Sequence, residues 1–525
     1  MIDGIAKRLD SLIFAFSPAR GARRIALRRM KEVLEERVDR FRAYSATAPD
    51  RMRGHDWLAS KLSPDYELKE ELTTLRDRSR DMYRNEPFAA SAVDGRVNYE
   101  VGATGITPRP AIRGGGKVSD AQADAWNEEL SSLYTRWSPH ASACGCKSMT
   151  EMQKIACRTW CIDGEGIGLI SNVARADKPI PLAIQVAETS RLETRPQDEA
   201  KDEVRLGVRY DKLGRPKSYT FRTAHPNDPI GDYQYEDKPA FDKLGRPLVL
   251  HLYEQIWPEQ SRGIPWLSPA LGRLKDLKEF IEAEIVAAQV AACFSVFVKT
   301  TDPEILQAIG IAEYDINSDP IEEVDPGRVH YLKPGEDVQF ANPSRPADNF
   351  APWMSWQLRG IAAAISYPYE LLVKDYTDTT YSSGRLSLID GRIGFQSRQE
   401  VMIKKFLSPI WRHLVNQAVL TGEVSIPPQM YNEDPARFEL CNWVTPGWPW
   451  LDPQKEISAA IMAIENNLST IDDELTQRGK NINDVFTQRA KEVQMINKLD
   501  LLSPDQRKAK TEAERPQPQP AGMEN

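Results

Sequence analysis

The stretch that decides the fold lies at residues 263–298, GIPWLSPALGRLKDLKEFIEAEIVAAQVAACFSVFV. The pair Ser268-Pro269 is typical of a helix start, because serine caps free backbone N–H groups and proline fits the first turn. Leu271 then begins an apolar stripe at helical spacing. We therefore predict helix over residues 265–301. Thirty residues of helix span roughly 45 Å at about 1.5 Å each, longer than an average domain helix.

A second long helical region follows a short mixed segment, which includes EILQAIG and RVHYLKPGEDVQF. Helical spacing returns over residues 349–365 and stops at Tyr367-Pro368. A polar loop, LLVKDYTDTTYSS (371–383), comes next. The pattern then predicts a long helix over residues 383–420, kinked or broken at Ser408-Pro409. Two long helices therefore flank a mixed insert of about 40 residues.

Toward the N-terminus the sequence predicts several more helices. Start signals or apolar spacing place them at residues 64–85, 87–101, 120–137 and 148–161. Ser148 and Glu151 have the spacing of a capping box. Near the C-terminus, NWVTPGWPWLDP (442–453) predicts an irregular run, and helix begins again at Asp452-Pro453.

Residues 169–257 have the composition of β-strands, with β-branched and aromatic residues in short runs. The hexapeptide DKLGRP occurs twice, at residues 211–216 and 242–247. Glycine favours a left-handed turn position and proline leads out of the turn, so we predict two hairpin loops. Two copies do not make a repeat architecture. The fold class expected is α+β, predominantly helical.

Length and composition exclude several classes of protein. The chain has 525 residues, with 68 Lys plus Arg against 76 Asp plus Glu, and a formal net charge of −8. This acidic balance argues against coating nucleic acid through bulk charge. Six cysteines form no disulfide framework and fit a reducing cytosol. The longest apolar stretch, 285–298, is shorter than the ~20 residues of a membrane helix. No secretion signal is recognised.

Three patterns of charge and glycine have a functional and a structural interpretation. Arg76, Arg80 and Arg84 form a stripe that could hold phosphate, but neighbouring aspartates favour a solvated helix face. The string DGEGIG (163–168) could be a nucleotide loop, yet it follows a helix and favours a tight turn into a strand. We reject GGGK (114–117) as a phosphate loop, because valine follows the lysine.

The cysteines give the one metal-like group in the sequence. They lie close along the chain, with a histidine at position 140, but their spacings match no common zinc finger. We favour small apolar packing for Cys144, Cys146, Cys157 and Cys161. Since no set of general acid, base and nucleophile is recognisable either, the sequence indicates a protein that is not an enzyme and needs no metal or cofactor.

Several strings, taken in chain order, resemble the lambda-type portal proteins of tailed bacteriophages. They extend over residues 65–440 and include DGEGIGLI, the Asp-x-x-Gly-Arg-Pro hairpin and HPND (225–228). The strings are LRDRSRDMYRNEPFAASAVDGRVNYEVGATGITP (75–108), residues 163–170, the stretch quoted at the start, LKPGEDVQF (332–340) and WQLRGIAAAISYPYELLVKDYTDTTYSSGRLSLIDGRI (356–393). No single string carries the likeness.

The resemblance implies a phage portal fold with wing, stem, clip and crown parts. It divides the chain into a basic N-terminal arm (1–64), wing (65–262), stem helix (263–299), clip (300–345), second stem helix (346–366), tunnel loop (367–383), long helix and wing (384–440), crown (441–502) and a disordered tail (503–525).

The resemblance also implies a function and partners. The chain would form a ring, dodecameric in virions, at the capsid vertex through which double-stranded DNA enters and leaves. Terminase large subunit and head-completion or adaptor proteins would dock on it, near major capsid and scaffold proteins, with no membrane involved. It would reside in the virion, and in the host cytoplasm during assembly. Residues that could face DNA are Lys374, Asp375, Tyr376, Thr377, Asp378, Thr379, Thr380 and Tyr381, although they could instead only pack against one another.

Two other functions stay open at this point. One is a different head–tail adaptor or scaffold protein, which the subunit number and a through-channel would distinguish from a portal. The less favoured one is a zinc-dependent nucleic-acid enzyme that uses the cysteine group, which stoichiometric zinc would reveal.

Overall fold

The computed structural model describes residues 62–116, 118–226, 228, 233–289, 350–377, 379–448 and 452–499, and the backbone of 290–292, 296–299 and 329–332. The chain divides into two compact units built from interleaved segments. The first unit contains the described residues up to Val97, then Ile155–Leu169 and Val186–Val401. The second contains Asn98–Lys154, Ile170–Gln185 and the described residues from Met402 onward. The predicted tail, nearly all of the predicted arm (1–61) and most of the clip lie outside the described residues.

The helices, in chain order, are α1 (Pro64–Asn85), α2 (Pro87–Glu100), α3 (Asp120–Trp137), α4 (Met149–Asp163), α5 (Leu271–Ala292), α6 (Phe350–Ala364), α7 (Tyr369–Val373), α8 (Tyr381–Met402), α9 (Ser408–Thr421), α10 (Pro428–Glu433), α11 (Pro435–Phe438), α12 (Pro453–Glu465), α13 (Ile471–Gln477) and α14 (Ile482–Lys498). The strands are β1 (Thr107–Pro110), β2 (Glu165–Asn172), β3 (Leu182–Ala187), β4 (Val204–Arg205), β5 (Val208–Tyr210), β6 (Pro216–Arg222), β7 (Tyr235–Pro239), β8 (Val249–Tyr253), β9 (Val296–Lys299), β10 (Val329–Leu332) and β11 (Cys441–Val444).

The N-terminal helices lie where capping signals and apolar spacing predict them. Leu68, Leu72 and Leu75 form the buried face of α1. The backbone N–H of Ser148 donates to Glu151 Oε2 at 2.7 Å, and the Glu151 N–H donates to Ser148 Oγ at 3.3 Å, so the capping box before α4 is confirmed.

The strand-rich region is also confirmed. Strands β4, β5, β6 and β7 form an antiparallel sheet in sequence order, and β2 pairs antiparallel with β8. Both DKLGRP copies are turns of the same design: Gly214 and Gly245 each have φ of +79°. In each copy the aspartate side chain accepts from two backbone N–H groups, which fixes the turn. Side chains such as Val208, Tyr219 and Phe221 form the core beneath the sheet.

The helix predicted over residues 265–301 is too long. A 3-10 turn at Ser268–Ala270 leads into α5, which ends at Ala292, and Val296–Lys299 is a strand that pairs in parallel with Val329–Leu332. The string VFV at 296–298 explains the difference, because β-branched and aromatic residues favour strands. The predicted stem segment 263–299 therefore contains a helix and a strand.

The region after α6 differs in detail from the prediction. The helix itself, Phe350–Ala364, agrees with the expected 349–365. Within the predicted polar loop, however, residues from Tyr369 to Val373 form the short helix α7, and α8 already begins at Tyr381. The irregular part is residues 374–380. The expected kink at Ser408-Pro409 is a π-helical turn, Ile403–Leu407, because proline has no N–H to continue the α-helical pattern.

The second unit has a core of its own around α3 and α9. Trp126, Leu130, Leu133 and Trp137 form the buried face of α3. Residues 442–453 are not wholly irregular as expected, since Cys441–Val444 pairs antiparallel with Thr107–Pro110. Helices α12, α13 and α14 contain no buried residue among those described. Within the described ranges, no helix combines the length and apolar character that crossing a membrane requires.

Candidate functional site

The candidate site is the segment 374–380, here called the channel loop, and its base is held firmly by α8. Pro368, at the start of α7, packs against Gly391, where a Cβ atom would lie 2.6 Å from the proline Cγ. The rings of Tyr367 and Phe395 meet edge to face at 5.8 Å. The Ser387 hydroxyl donates to the Glu370 carboxylate. The chain therefore enters the loop from a fixed position.

The loop itself is held by short-range hydrogen bonds. Lys374 ends α7 in a left-handed conformation with φ of +59°, and its N–H donates to Glu370 O at 2.9 Å. Asp375 accepts from the backbone N–H of Thr377 at 3.0 Å and from the Thr377 hydroxyl. These hydrogen bonds lower the pKa of the Asp375 carboxyl. The loop thus has its own local order, while the side chains from Lys374 to Thr377 are exposed.

The structure brings most of the predicted site residues together on this loop. Tyr376 is 57% exposed and Tyr381, in the first turn of α8, is 52% exposed. Thr380 Oγ1 accepts from the Ser383 N–H at 3.3 Å and so caps α8. Asp378 lies outside the described residues. By sequence, the loop has one cation, Lys374, against two acidic residues, and one tyrosine ring lies on it and another on the first turn of α8. This composition suits weak neutral contacts with a phosphate backbone more than a strong clamp.

A buried carboxylate, Glu165, is the centre of a second arrangement in the first unit. It opens β2 and is fully buried. Its oxygens accept from Arg76 Nη2 at 2.7 Å, Arg262 Nε at 2.9 Å and the Gly263 N–H at 3.0 Å. His251 Nε2 on β8 lies 2.9 Å from Oε2. Several elements distant in sequence therefore converge on one side chain.

A second carboxylate, Asp163, lies two residues before Glu165 and extends this arrangement. Arg80 donates to it through Nε and Nη2, each at 2.7 Å, and Thr189 Oγ1 donates at 2.7 Å. Gly164 stands between the two carboxylates with φ of +87°, and a Cβ there would lie 2.3 Å from the Ile264 backbone. The tight turn predicted for DGEGIG is confirmed, and glycine is required by the close approach. We call Arg76, Arg80, Asp163, Glu165, His251 and Arg262 the Glu165 cluster.

Opposite charges in the cluster stabilise the ionised forms of its side chains. Burial alone would raise the pKa of the Glu165 carboxyl, but Arg262, Arg76 and His251 outweigh burial and hold this pKa well below its usual range. Burial lowers the pKa of the Arg76 guanidinium to about 10. Both groups are therefore charged near neutral pH, and the ion pair between them persists there.

The interpretation of the arginine stripe as a solvated face is wrong for two of its three members. Arg76 is buried and Arg80 is partly buried, and both bind carboxylates of this chain, because α1 packs against the turn before β2. Only Arg84 is exposed. The alternative, a phosphate site, finds no support either, since the carboxylates occupy the guanidinium groups. The signal that could have revealed the cluster is Glu165 itself, a charged residue in an otherwise apolar strand.

The cysteine group does not assemble. The predicted apolar packing is wrong for Cys144 and Cys146, which are exposed on the segment before α4, and is confirmed for Cys157 and Cys161, which are buried on α4. Across the described ranges, no three His, Cys, Asp or Glu side chains come together in a way that could hold a metal ion. The zinc hypothesis therefore has no ligand set in that part of the chain.

Comparison with known proteins gives consistent matches. A family model described as phage portal protein, lambda family, matches residues 50–399. A probable portal protein of Halomonas phage phiHAP-1 is 26% identical over 452 residues, which covers 84% of this chain and 84% of the relative. Portal protein B of Escherichia phage lambda is 20% identical over 464 residues, covering 83% and 86%. A solved chain from the neck of a native GTA particle, computed with C12 symmetry, has a TM-score of 0.37 and 12% identity over 78% of this chain and 92% of its own.

The family match covers well over half of the chain and includes both arrangements described above. It contains α1 and the rest of the Glu165 cluster, α5, α6, the channel loop and nearly all of α8. The chain belongs to the lambda family of phage portal proteins.

Proposed function

We propose that this chain forms a ring, twelve-membered in the virion, at the capsid vertex through which double-stranded DNA is packaged and ejected. The observation that carries the proposal is the family match over residues 50–399, which contains the channel loop, α7 and nearly all of α8. Terminase and head-completion proteins are the partners that such a ring requires during packaging and tail attachment. Major capsid and scaffold proteins would surround the ring in the shell.

Exposed apolar side chains on the long helices support assembly into a ring. In the first unit they are Ile285, Val286, Trp356, Leu386, Ile389 and Ile393, each at least 43% exposed. Large exposed apolar surfaces on a monomer mark contacts with other protein chains. In a closed ring one side of each copy packs against the other side of its neighbour, so every copy has its apolar surface covered.

The parts of the ring are assigned by analogy with the family. We propose that α5 and α6 form the stem, that the segment between them forms the clip, and that α12, α13 and α14 form the crown. The crown helices have an amphipathic pattern with exposed Ile461, Met462, Phe486 and Met495, among others. Like the stem helices, they need neighbouring copies to cover their apolar faces.

The channel loop is the part that we propose touches DNA. Tyr376 on the loop and Tyr381 at the start of α8 are exposed. The loop backbone is held in place by local hydrogen bonds and by the base on α8. Lys374 lies beside Asp375, so the loop lacks the strong positive charge that would hold a sliding duplex. Neutral contacts from Tyr376, Thr379 and Tyr381 would guide the duplex without holding it.

Photo-crosslinking in filled particles tests this contact. Replacing Tyr376 by p-azidophenylalanine places a reactive group on the loop, and irradiation should attach the portal protein to the packaged DNA. The matched control is Tyr66 on α1, which is similarly exposed at 49% and lies outside the loop. Crosslinks at position 376 and not at 66 support the proposal. Crosslinks of equal yield, or none at position 376, contradict it.

A further inference from the structure

A half-open groove in the first unit belongs to neither the channel loop nor the Glu165 cluster. It encloses about 590 Å³ and lies between the end of α4, the segment before α5, the α6–α7 connection and α8. Its walls include Trp160, Trp257 and Trp266. We call it the tryptophan groove. Cavities of this size with apolar walls and a few convergent polar groups are the usual form of binding sites in proteins.

Two buried arginines line the groove, each stacked on a tryptophan. Arg96 Cζ lies 4.2 Å from the ring centre of Trp266, and Arg398 Cζ lies 3.4 Å from that of Trp160. The arginines are 5% and 6% exposed. Cation–π contact holds each guanidinium over the face of a ring. Arg398 also donates through Nη2 to Cys161 Sγ at 3.5 Å. A guanidinium has five N–H donors, so it can bind more than one acceptor. The groove therefore combines aromatic walls with fixed positive charge.

One hydroxyl in the groove is left without a partner. Ser268, in the turn before α5, is 3% exposed, and its Oγ makes no hydrogen bond to any residue that the structure describes. A buried hydroxyl without a hydrogen bond costs free energy, so a ligand that accepts from it gains that interaction. This second observation, independent of the arginines, indicates an acceptor group in the ligand.

The groove is also open where it meets α8. Gly394 lines it, and a Cβ atom there would meet no other atom within 4 Å. Ile256 and Trp257 stand at the mouth, 60% and 42% exposed. The one acidic residue among the lining side chains is Glu254, 58% exposed, with Oε2 at 3.9 Å from Arg398 Nη1. Among the lining side chains two are therefore positively charged and one is negatively charged.

We propose that the tryptophan groove binds a peptide segment of a partner protein in which an aromatic or aliphatic side chain stands next to a carboxylate. The ring or aliphatic group would fill the space beside Trp257 and Gly394. The carboxylate would accept from the edges of Arg96 and Arg398 and from Ser268. Charge complementarity selects this occupant, because a carboxylate gains attraction from the two guanidinium groups and a hydrogen bond from Ser268, whereas a purely apolar segment gains neither.

The test uses two peptides that differ only in charge, Ac-Phe-Glu-NH2 and Ac-Phe-Gln-NH2. Binding to the assembled protein is followed by saturation-transfer NMR and calorimetry. The glutamate peptide should bind about tenfold more tightly, because a charge-assisted hydrogen bond is replaced by a neutral one. Ser268→Ala should weaken the glutamate peptide several-fold and the glutamine peptide less, because a hydroxyl donates more weakly to an amide oxygen than to a carboxylate.

Glycine variants locate the site. Gly394→Leu fills the groove and should abolish binding, and a helix accepts leucine better than glycine, so the variant should fold. Gly272→Leu is the matched control: Gly272 lies in α5, its Cβ position also meets no atom within 4 Å, and it does not line the groove. Melting temperatures of both variants confirm that they fold.

Three outcomes would overturn the proposal. The first is equal affinity for both peptides, which would show that the arginines do not recognise a carboxylate. The second is binding that survives Gly394→Leu, which would place the site elsewhere. The third is binding to the unassembled chain but not to the ring, which would mean that a second copy of this chain covers the groove.

Discussion

The Glu165 cluster and the channel loop belong to the same unit, yet different kinds of contact hold them. The cluster has buried ion pairs between distant segments, and the loop has exposed hydrogen bonds between near neighbours. In the cluster, Arg76 and Arg262 reach one buried carboxylate from segments far apart in sequence. In the loop, Asp375 and Thr377 bind each other across two residues and are exposed. The first arrangement joins elements that are distant in the chain, whereas the second joins residues two positions apart. Substitutions in the cluster should therefore affect stability, and substitutions in the loop should affect function.

The largest effect on stability is expected for Glu165→Ala. Removing the carboxylate leaves Arg76 and Arg262 buried without their counter-ion, which costs about 3–5 kcal/mol. For a unit of this size that corresponds to a fall in melting temperature of roughly 6–20 °C. Glu282→Ala, on the exposed surface of α5, is the control and should change the melting temperature little. A small effect at Glu165 would contradict the role assigned to the cluster.

The same carboxylate predicts a pH dependence. Because the pKa of Glu165 is held below its usual value in the folded protein, its contribution to stability is complete above about pH 4.5. That contribution is lost as the pH falls through the lowered pKa. Glu165→Gln has no proton to gain, so the difference in melting temperature between wild type and variant should narrow from pH 6 to pH 3. A constant difference would show that the ionised carboxylate is not the stabilising group.

Two glycines three residues apart on α8 test how firmly the loop is seated. An added Cβ at Gly391 would lie 2.6 Å from Pro368, whereas one at Gly394 meets open space. Gly391→Ala should therefore cost about 1–3 kcal/mol through overpacking, partly offset by better helix propensity. Gly394→Ala should stabilise by up to about 1 kcal/mol. Thermal unfolding of the two variants measures the contrast, and equal effects would contradict the packing of Pro368 on α8.

Charge reversal in the loop should have the smallest effect on stability. Lys374→Glu changes an exposed residue, so the melting temperature should move by the equivalent of less than about 0.5 kcal/mol and rings should still form. The yield of DNA-filled heads should fall, because a second negative charge beside Asp375 repels the duplex. Lys243→Glu, on the exposed tip of a hairpin, is the control. Filled heads at normal yield would show that the loop does not meet DNA.

Local signals in the sequence were sufficient to predict many elements. Serine or aspartate followed by proline marks the starts of α1 and α12, where Asp452 accepts from the Lys455 N–H. The two DKLGRP turns carry their own hydrogen bonds, so six residues predict each of them. These features depend on neighbours along the chain, which the sequence displays directly.

Features that depend on distant residues were missed. The strand Val296–Lys299 was predicted as helix, because a short apolar run fits both structures and its partner β10 lies about thirty residues away. Arg76 and Arg80 were interpreted as a solvated stripe, because nothing near them in sequence identifies Asp163 and Glu165 as their partners. The loop residues were found through family resemblance, whereas the groove around Ser268 needs the tertiary structure to be recognised.

The central claim is that this chain assembles into a portal ring, and the mass and shape of the purified protein test it most directly. Electron microscopy combined with light scattering should show rings with a central hole and about twelve subunits of 59.3 kDa. The hole must admit a duplex about 20 Å wide, wider than the ~12 Å major groove alone. A closed particle without a channel, or a discrete dimer that stays small in the presence of scaffold protein, would contradict the account.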